Sequence, residues 1–214
     1  MKKICVLLFF IFLFILTCAQ DSPGRVSPDL FSGFKPGITL FKSGDTVCLK
    51  MNYNTFLEKM LFENEKQYFE IDNLESIDTV YILDRKFIPV KRVFYEVISL
   101  TPSNLYIQHR CKLDPLPKPA GFGTVSETTA ISRTSNILSA SSVFVLDRPE
   151  TMKTSDNTLL WLRNGKKYYK ANNEKQIIKY FPQKTDLIRQ FVKDNKTDFE
   201  KTDDVKKLII FCNR

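Results

Sequence analysis

Between Ile38 and Leu113 hydrophobic and polar positions alternate in short runs separated by polar breaks, the period-two pattern of β-strands. Ile38 to Lys42 and Thr46 to Tyr53 flank Ser43-Gly44-Asp45, and Val47, Leu49, Met51 and Tyr53 alternate with Cys48, Lys50 and Asn52, which predicts a hairpin. Leu57 to Glu63 and Gln67 to Ile71 flank the polar Asn64-Glu65-Lys66 and predict a second one. Asp78 to Leu83, Phe87 to Val90, Val93 to Leu100 and Leu105 to Leu113 continue the series, with breaks at Asp84-Arg85, Lys91-Arg92 and 101–104. Strands this short and this evenly spaced predict an antiparallel meander that curls into a sandwich or an open barrel, with Tyr81, Phe87, Phe94, Tyr95 and Tyr106 filling or covering its core. Pro89 cannot donate to a ladder, so it marks an edge or a bulge.

The pattern breaks at Asp114. Pro115, Pro117 and Pro119, then Gly121-Phe122-Gly123 and a Ser/Thr-rich run to Ser142, predict a long loop. Gly121-x-Gly123 lacks the third glycine and the strand-to-helix setting of a dinucleotide site. Beyond it, Leu159 to Arg163 and Lys166 to Lys170 flank Asn164-Gly165, a hairpin signal. The period then changes to about 3.6. Asn173 caps a short helix carrying Ile177, Ile178 and Phe181, which Pro182 ends or restarts. Leu187, Ile188, Phe191 and Val192 form the stripe of a second helix. Thr202 caps a third, with Val205, Leu208, Ile209 and Cys212 along one face. The fold class is therefore α+β: an antiparallel β-meander followed by a β-hairpin and two to three short C-terminal helices.

The first residues change the picture of where such a fold works. Lys2 and Lys3 precede an unbroken apolar run from Ile4 to Leu16 and the small residues of Thr17-Cys18-Ala19, the anatomy of a secretory signal peptide. The run falls short of the roughly twenty residues that span a bilayer, so no integral span is expected once it is removed. The expected organisation is a signal peptide over 1–19, an extended arm over 20–37, a β-domain over 38–113, a Pro/Ser/Thr-rich loop over 114–142, and the hairpin with basic helices over 143–214. Cys18 offers an alternative, lipidation as a lipoprotein anchor, although Thr17 stands where such sites want Gly, Ala or Ser. Either route exports the chain, to the periplasm, the outer-membrane surface or beyond. Three cysteines then remain, Cys48, Cys111 and Cys212, too few for a disulfide framework. They are expected as buried small hydrophobes, with a Cys48–Cys111 bridge the alternative.

Charge is unevenly placed. Residues 20–150 hold 15 Lys and Arg against 16 Asp and Glu, whereas residues 151–214 hold 15 against 8. For an exported chain this basic end argues for an anionic envelope glycan or lipid, or an acidic protein, and against nucleic acid. Lys179, Lys184, Arg189, Lys193, Lys206 and Lys207, on the helices, are the candidate binding surface.

Lys50-Met51-Asn52-Tyr53-Asn54, Met60-Leu61-Phe62, Ile77 to Ile82, Arg85 to Val90, Phe94-Tyr95-Glu96, and the tail from Tyr180-Phe181-Pro182 to Leu208 are blocks in which this sequence resembles exported proteins of unknown function from Bacteroidota. The resemblance implies export from a Gram-negative cell and attaches no activity or catalytic residue.

Candidate chemistry is sparse. His109 is the only histidine, and Cys111, two residues along the same strand, lies roughly 7 Å away by strand rise, too far for a nucleophile and base pair. His109 therefore reads as a packing or rim residue. A single histidine without a cysteine cluster gives no zinc-binding pattern, and no cofactor is expected. Glu58, Glu63, Glu65, Glu70, Asp72 and Glu75 have the residue type of a glycosidase pair but crowd around turns beside lysines, as solvated surface does. Tyr68-Phe69 and Phe94-Tyr95 place one ring on each face of a strand, core on one side and a packed layer or a ligand on the other. The expectation is a non-enzymatic envelope protein that binds or scaffolds, with a carboxylate-dependent glycan hydrolase as the alternative.

Overall fold

The computed structural model describes residues 28–115, 118–120, 124–126 and 152–214. Ten strands form one antiparallel sheet. In chain order they are β1 (Lys35–Phe41), β2 (Thr46–Asn54), β3 (Lys59–Asn64), β4 (Gln67–Glu70), β5 (Ile77–Ile82), β6 (Arg85–Val90), β7 (Val93–Ile98), β8 (Leu105–Gln108), β13 (Leu159–Asn164) and β14 (Lys167–Lys170). The four strands in between lie apart from it. β9 (Cys111–Pro115) pairs with β12 (Met152–Asp156), and β10 (Lys118–Ala120) with β11 (Thr124–Ser126).

Across the sheet the order is β14-β13-β8-β7-β6-β5-β1-β2-β3-β4. The chain runs outward from β1 to β4, returns through a 3-10 turn at Leu74–Ser76 to lay β5 on the other flank of β1, and continues outward again to β8. The meander thus grows from its middle, and among the described strands β4 and β14 stand at its two ends. The sheet curls far enough for β3 to contact β7, yet it does not close. The C-terminal hairpin joins this same sheet, because β13 pairs with β8 as well as with β14. The β9–β12 ribbon extends that β8–β13 pair, so the proline-rich segment is inserted into a hairpin.

Tight turns account for the regularity. Gly165 takes φ +58° in the two-residue turn between Asn164 and Lys167, the left-handed value that favours glycine. Leu83 and Lys91 take similar values, +55° and +58°, in the β5–β6 and β6–β7 turns without being glycine. Pro89 sits where the β5 ladder has already stopped, since β5 and β6 pair only as far as Val80 with Phe87. It therefore occupies a local edge within a central strand. Gly37 is required for closeness: a Cβ there would lie 2.8 Å from the Tyr81 carbonyl oxygen and 3.0 Å from Met51 Sδ. We expect Gly37→Ala to destabilise the fold by about 1–3 kcal/mol, measured as a fall in the urea midpoint at unchanged slope.

One face of the sheet carries two cores. Met51, Tyr53, Met60, Ile77, Val80, Ile82, Phe87 and Phe94 fill the curl, closed by Leu30, Phe31, Ile71 and Leu74. Leu105, Ile107, Leu160 and Leu162, further along the same face, pack under the helices α1 (Glu174–Tyr180), α2 (Thr185–Asn195) and α3 (Thr202–Cys212). The helical side of this core is Ile177, Ile188, Val205, Leu208, Ile209 and Cys212. Each such side chain taken from water contributes about 1.5–3 kcal/mol, enough to hold helices too short to persist alone. Asn173 caps α1, accepting from the Gln176 N–H. Thr202 is the first residue of α3 and not its cap; Lys201 occupies that position without a side-chain bond. The first turn of α3 relies instead on Asp203 and Asp204 near its positive end.

All three described cysteines are free, with Cys111 and Cys212 buried. Cys48 is exposed, contrary to expectation, because it pairs with Ile38 on the sheet's outer face near the β1–β2 turn. Cys18 and the segment expected as a signal peptide lie outside the described residues, as does most of the Ser/Thr-rich stretch expected as a loop.

Candidate functional site

A polar centre separates the two cores. The cross-strand row Val80, Phe87, Glu96, Ile107, Leu160 runs over five strands on one face, and Glu96 is its single charged member. Its carboxylate is 5% exposed and receives a bidentate clamp from Arg85, Nε to Oε1 at 2.7 Å and Nη2 to Oε2 at 2.5 Å. His109, at the kink between β8 and β9, places Nε2 2.6 Å from Glu96 Oε2 and 2.9 Å from Arg85 Nη2. The Arg85 guanidinium lies 5.0 Å from the Phe31 ring centre and 5.6 Å from that of Phe87, which shields the pair from water. Burial alone would push the Glu96 carboxyl up; the hydrogen bonds from His109 and Arg85 and the attraction of the guanidinium outweigh it and hold the group at about 2. His109 thus hydrogen-bonds Glu96 and ties the end of β8 to β7.

On the opposite face an aromatic cluster gathers around the only tryptophan. Trp161 stacks on Tyr95 at 6.0 Å, and Tyr168 meets Tyr95 and Tyr106 edge-on at 5.5 and 5.3 Å. The indole is oriented by a polar chain: Trp161 Nε1 donates to Gln108 Oε1, Gln108 donates to Glu58, and Glu58 pairs with Arg110 at 3.3 Å. Burial pushes the phenols of Tyr95 and Tyr168 up, so both remain neutral hydroxyls. Tyr95 and Tyr106 form the buried floor, whereas Trp161 and Tyr168 keep part of their surface accessible.

Cations fringe those accessible rings. The Arg163 guanidinium sits 5.8 Å from the Tyr168 centre, and Lys170 Nζ sits 5.7 Å from Trp161, both within cation–π range. Lys167 covers Tyr169 on the other face at 5.1 Å. Arg163, Lys166, Lys167 and Lys170 are all exposed. Residues 159–170 hold four basic and no acidic side chains, whereas residues 171–214 hold ten basic against seven acidic. More than half of the positive excess therefore belongs to the β13–β14 hairpin.

The six helix residues differ in their surroundings. Lys184 Nζ donates to the Cys212 carbonyl at 2.7 Å and ties the helices together. Arg189 pairs with Asp186 at 3.7 Å and Lys207 with Asp204 at 3.2 Å. Lys206 is half-buried on α3, and Lys179 and Lys193 are exposed on α1 and α2. The turn carboxylates lie mostly around β3 and β4: Glu63 pairs with Lys50 at 3.9 Å, Glu70 pairs with Lys59, Glu58 is held by Gln108 and Arg110, and Glu65, Asp72 and Glu75 are exposed. Tyr68 stacks on Phe34 and Phe69 on Phe62, so both rings of that pair are used in packing.

Neither the hairpin site nor the Glu96 centre was singled out from sequence. The hairpin had a signal in plain view, four cations and three aromatic rings in twelve residues. Glu96, Arg85 and His109 had none, because their pairing depends on sheet order. Among the described residues no group of three or more His, Cys, Asp or Glu is placed to hold a metal ion, and no helix is long and apolar enough to cross a membrane. No protein-family model, curated protein or solved structure matches the chain.

Proposed function

We propose that this chain is an exported, envelope-associated binding module without catalytic activity, and that it engages an anionic partner through the β13–β14 hairpin. The observation that carries the reading is the juxtaposition at one sheet edge of four exposed cations and a partly accessible Trp161–Tyr168 pair on a rigid aromatic floor. Cations supply long-range attraction to sulfate, phosphate or carboxylate groups, and flat rings supply stacking surface for a sugar. The buried, pre-oriented floor limits the ordering cost of binding. The envelope location rests on the signal-peptide pattern and on the resemblance to exported Bacteroidota proteins.

The hydrolase alternative is the weaker reading on chemical grounds. Glu96 is held ionised and saturated by Arg85 and His109, which denies it the proton a general acid must carry. Glu58 is likewise committed to Gln108 and Arg110.

Trp161 is a built-in reporter, being the chain's only tryptophan. Titration with dextran sulfate is expected to change its fluorescence saturably, with an apparent affinity that falls steeply as salt rises because exposed charges are screened over about 8 Å at physiological ionic strength. Uncharged dextran at the same mass concentration serves as the control. An unchanged Trp161 signal, with the protein shown to be folded, would count against the hairpin as the site.

A further inference from the structure

We propose that the anionic partner of the basic hairpin is the acidic edge of a second copy of this chain, so that copies associate head to tail by strand addition of β14 onto β4. This rests on reading the hairpin as the binding surface and names what it binds.

Among the described residues no strand pairs with the outer side of β4 or of β14, and the two edges differ in charge. The β13–β14 hairpin carries four basic and no acidic side chains, whereas residues 59–75, around β3 and β4, carry five acidic against two basic. Like edges therefore repel and unlike edges attract. The two edge strands also match in length and pattern, Gln67–Glu70 as Gln-Tyr-Phe-Glu and Lys167–Lys170 as Lys-Tyr-Tyr-Lys.

Backbone geometry fixes the register. Each hairpin closes on a two-residue turn, pairing Asn64 with Gln67 and Asn164 with Lys167, so Tyr68 and Glu70 on one edge and Tyr168 and Lys170 on the other point their N–H and C=O groups outward. Annealed antiparallel, Tyr168 falls opposite Glu70, Tyr169 opposite Phe69, and Lys170 opposite Tyr68. Lys170 and Glu70 then become diagonal neighbours on one face, roughly 7–8 Å apart and within reach of each other's side chains. Because the contact joins two different patches, each pairing leaves one edge of each kind free, and growth proceeds to a ring or an open chain.

Sedimentation velocity of the purified chain over a concentration series, at low and high salt, tests this. The expected result is association that strengthens with concentration and weakens with salt. Lys170→Glu and Glu70→Lys should each weaken it by about tenfold or more, since each places like charges together. Mixing the two variants should restore association, which a folding defect in either would not do. A chain that stays monomeric throughout but still gives the dextran sulfate response of Trp161 overturns self-pairing and leaves the hairpin reading standing. Association that survives both reversals also overturns it.

Discussion

Glu96→Ala should destabilise the protein by about 3–5 kcal/mol, the cost of leaving a partner of a buried ion pair uncompensated. For a chain of this size that corresponds to roughly 10 °C in Tm. Arg85 would keep its charge beside Phe31 and Phe87 without a counter-ion, and His109 would lose the carboxylate it hydrogen-bonds. Replacing both partners by apolar residues, Glu96→Leu with Arg85→Met, should recover most of the loss, because well-packed apolar pairs often match buried ion pairs. A double-mutant cycle by chemical unfolding measures the coupling. The pH dependence has a definite sign: the folded-state value of about 2 lies below the ordinary 4.5, so this contribution is complete above pH 4.5 and is lost as pH falls toward 2. It amounts to roughly 3 kcal/mol, and Glu96→Gln should flatten the acid limb of the stability profile by about that much.

Leu208→Ala should cost a further large amount, about 2–5 kcal/mol, and should do so throughout the molecule and not only among the helices. Leu208 is fully buried against a core whose sheet side is Leu105, Ile107, Leu160 and Leu162. Ile107 is joined by one row of paired residues, through Glu96, to Phe87 and Val80 in the other core. Helices and curl therefore share a scaffold. Thermal unfolding followed by helical circular dichroism and by Trp161 fluorescence should give coincident midpoints in the wild type, and Leu208→Ala and Phe87→Ala should each move both midpoints together. Separate transitions would mean that the strand core is stable without the helices.

Much of the β-structure was legible because a half-buried strand records its faces at period two. Met51 and Tyr53 against Lys50 announce a strand wherever it pairs, and Asn173 before Gln176 announces a cap through local bonding alone. What could not be read was order in space. Nothing local tells β5 to return beside β1, or β13 to lie against β8 across the insertion, and the Arg85–Glu96–His109 centre exists only after those pairings are made. Cys48 illustrates the same limit, since its place in the strand pattern was clear but not which stretch of the outer face would be left uncovered.

The hairpin is inconspicuous in the sequence for a different reason. The surplus of charge after residue 150 draws attention to the amphipathic helices, where Lys179, Lys184, Arg189, Lys193, Lys206 and Lys207 are numerous. Helices carry acids in the same stretches, and in this fold Lys184, Arg189 and Lys207 are matched internally. The hairpin has no acid to offset its cations. Charge balance over twelve residues, rather than over sixty, is the scale at which the edge becomes visible.

As proposed, recognition belongs to the sheet edge and not to the helices. Two variants of equal charge change decide between them: Lys167→Glu with Lys170→Glu on β14, and Lys179→Glu with Lys193→Glu on α1 and α2, each titrated with dextran sulfate at fixed salt. The hairpin pair is expected to weaken binding by at least about tenfold while the helix pair stays within about twofold of wild type. Loss of binding in the helix pair with the hairpin pair unaffected would contradict it.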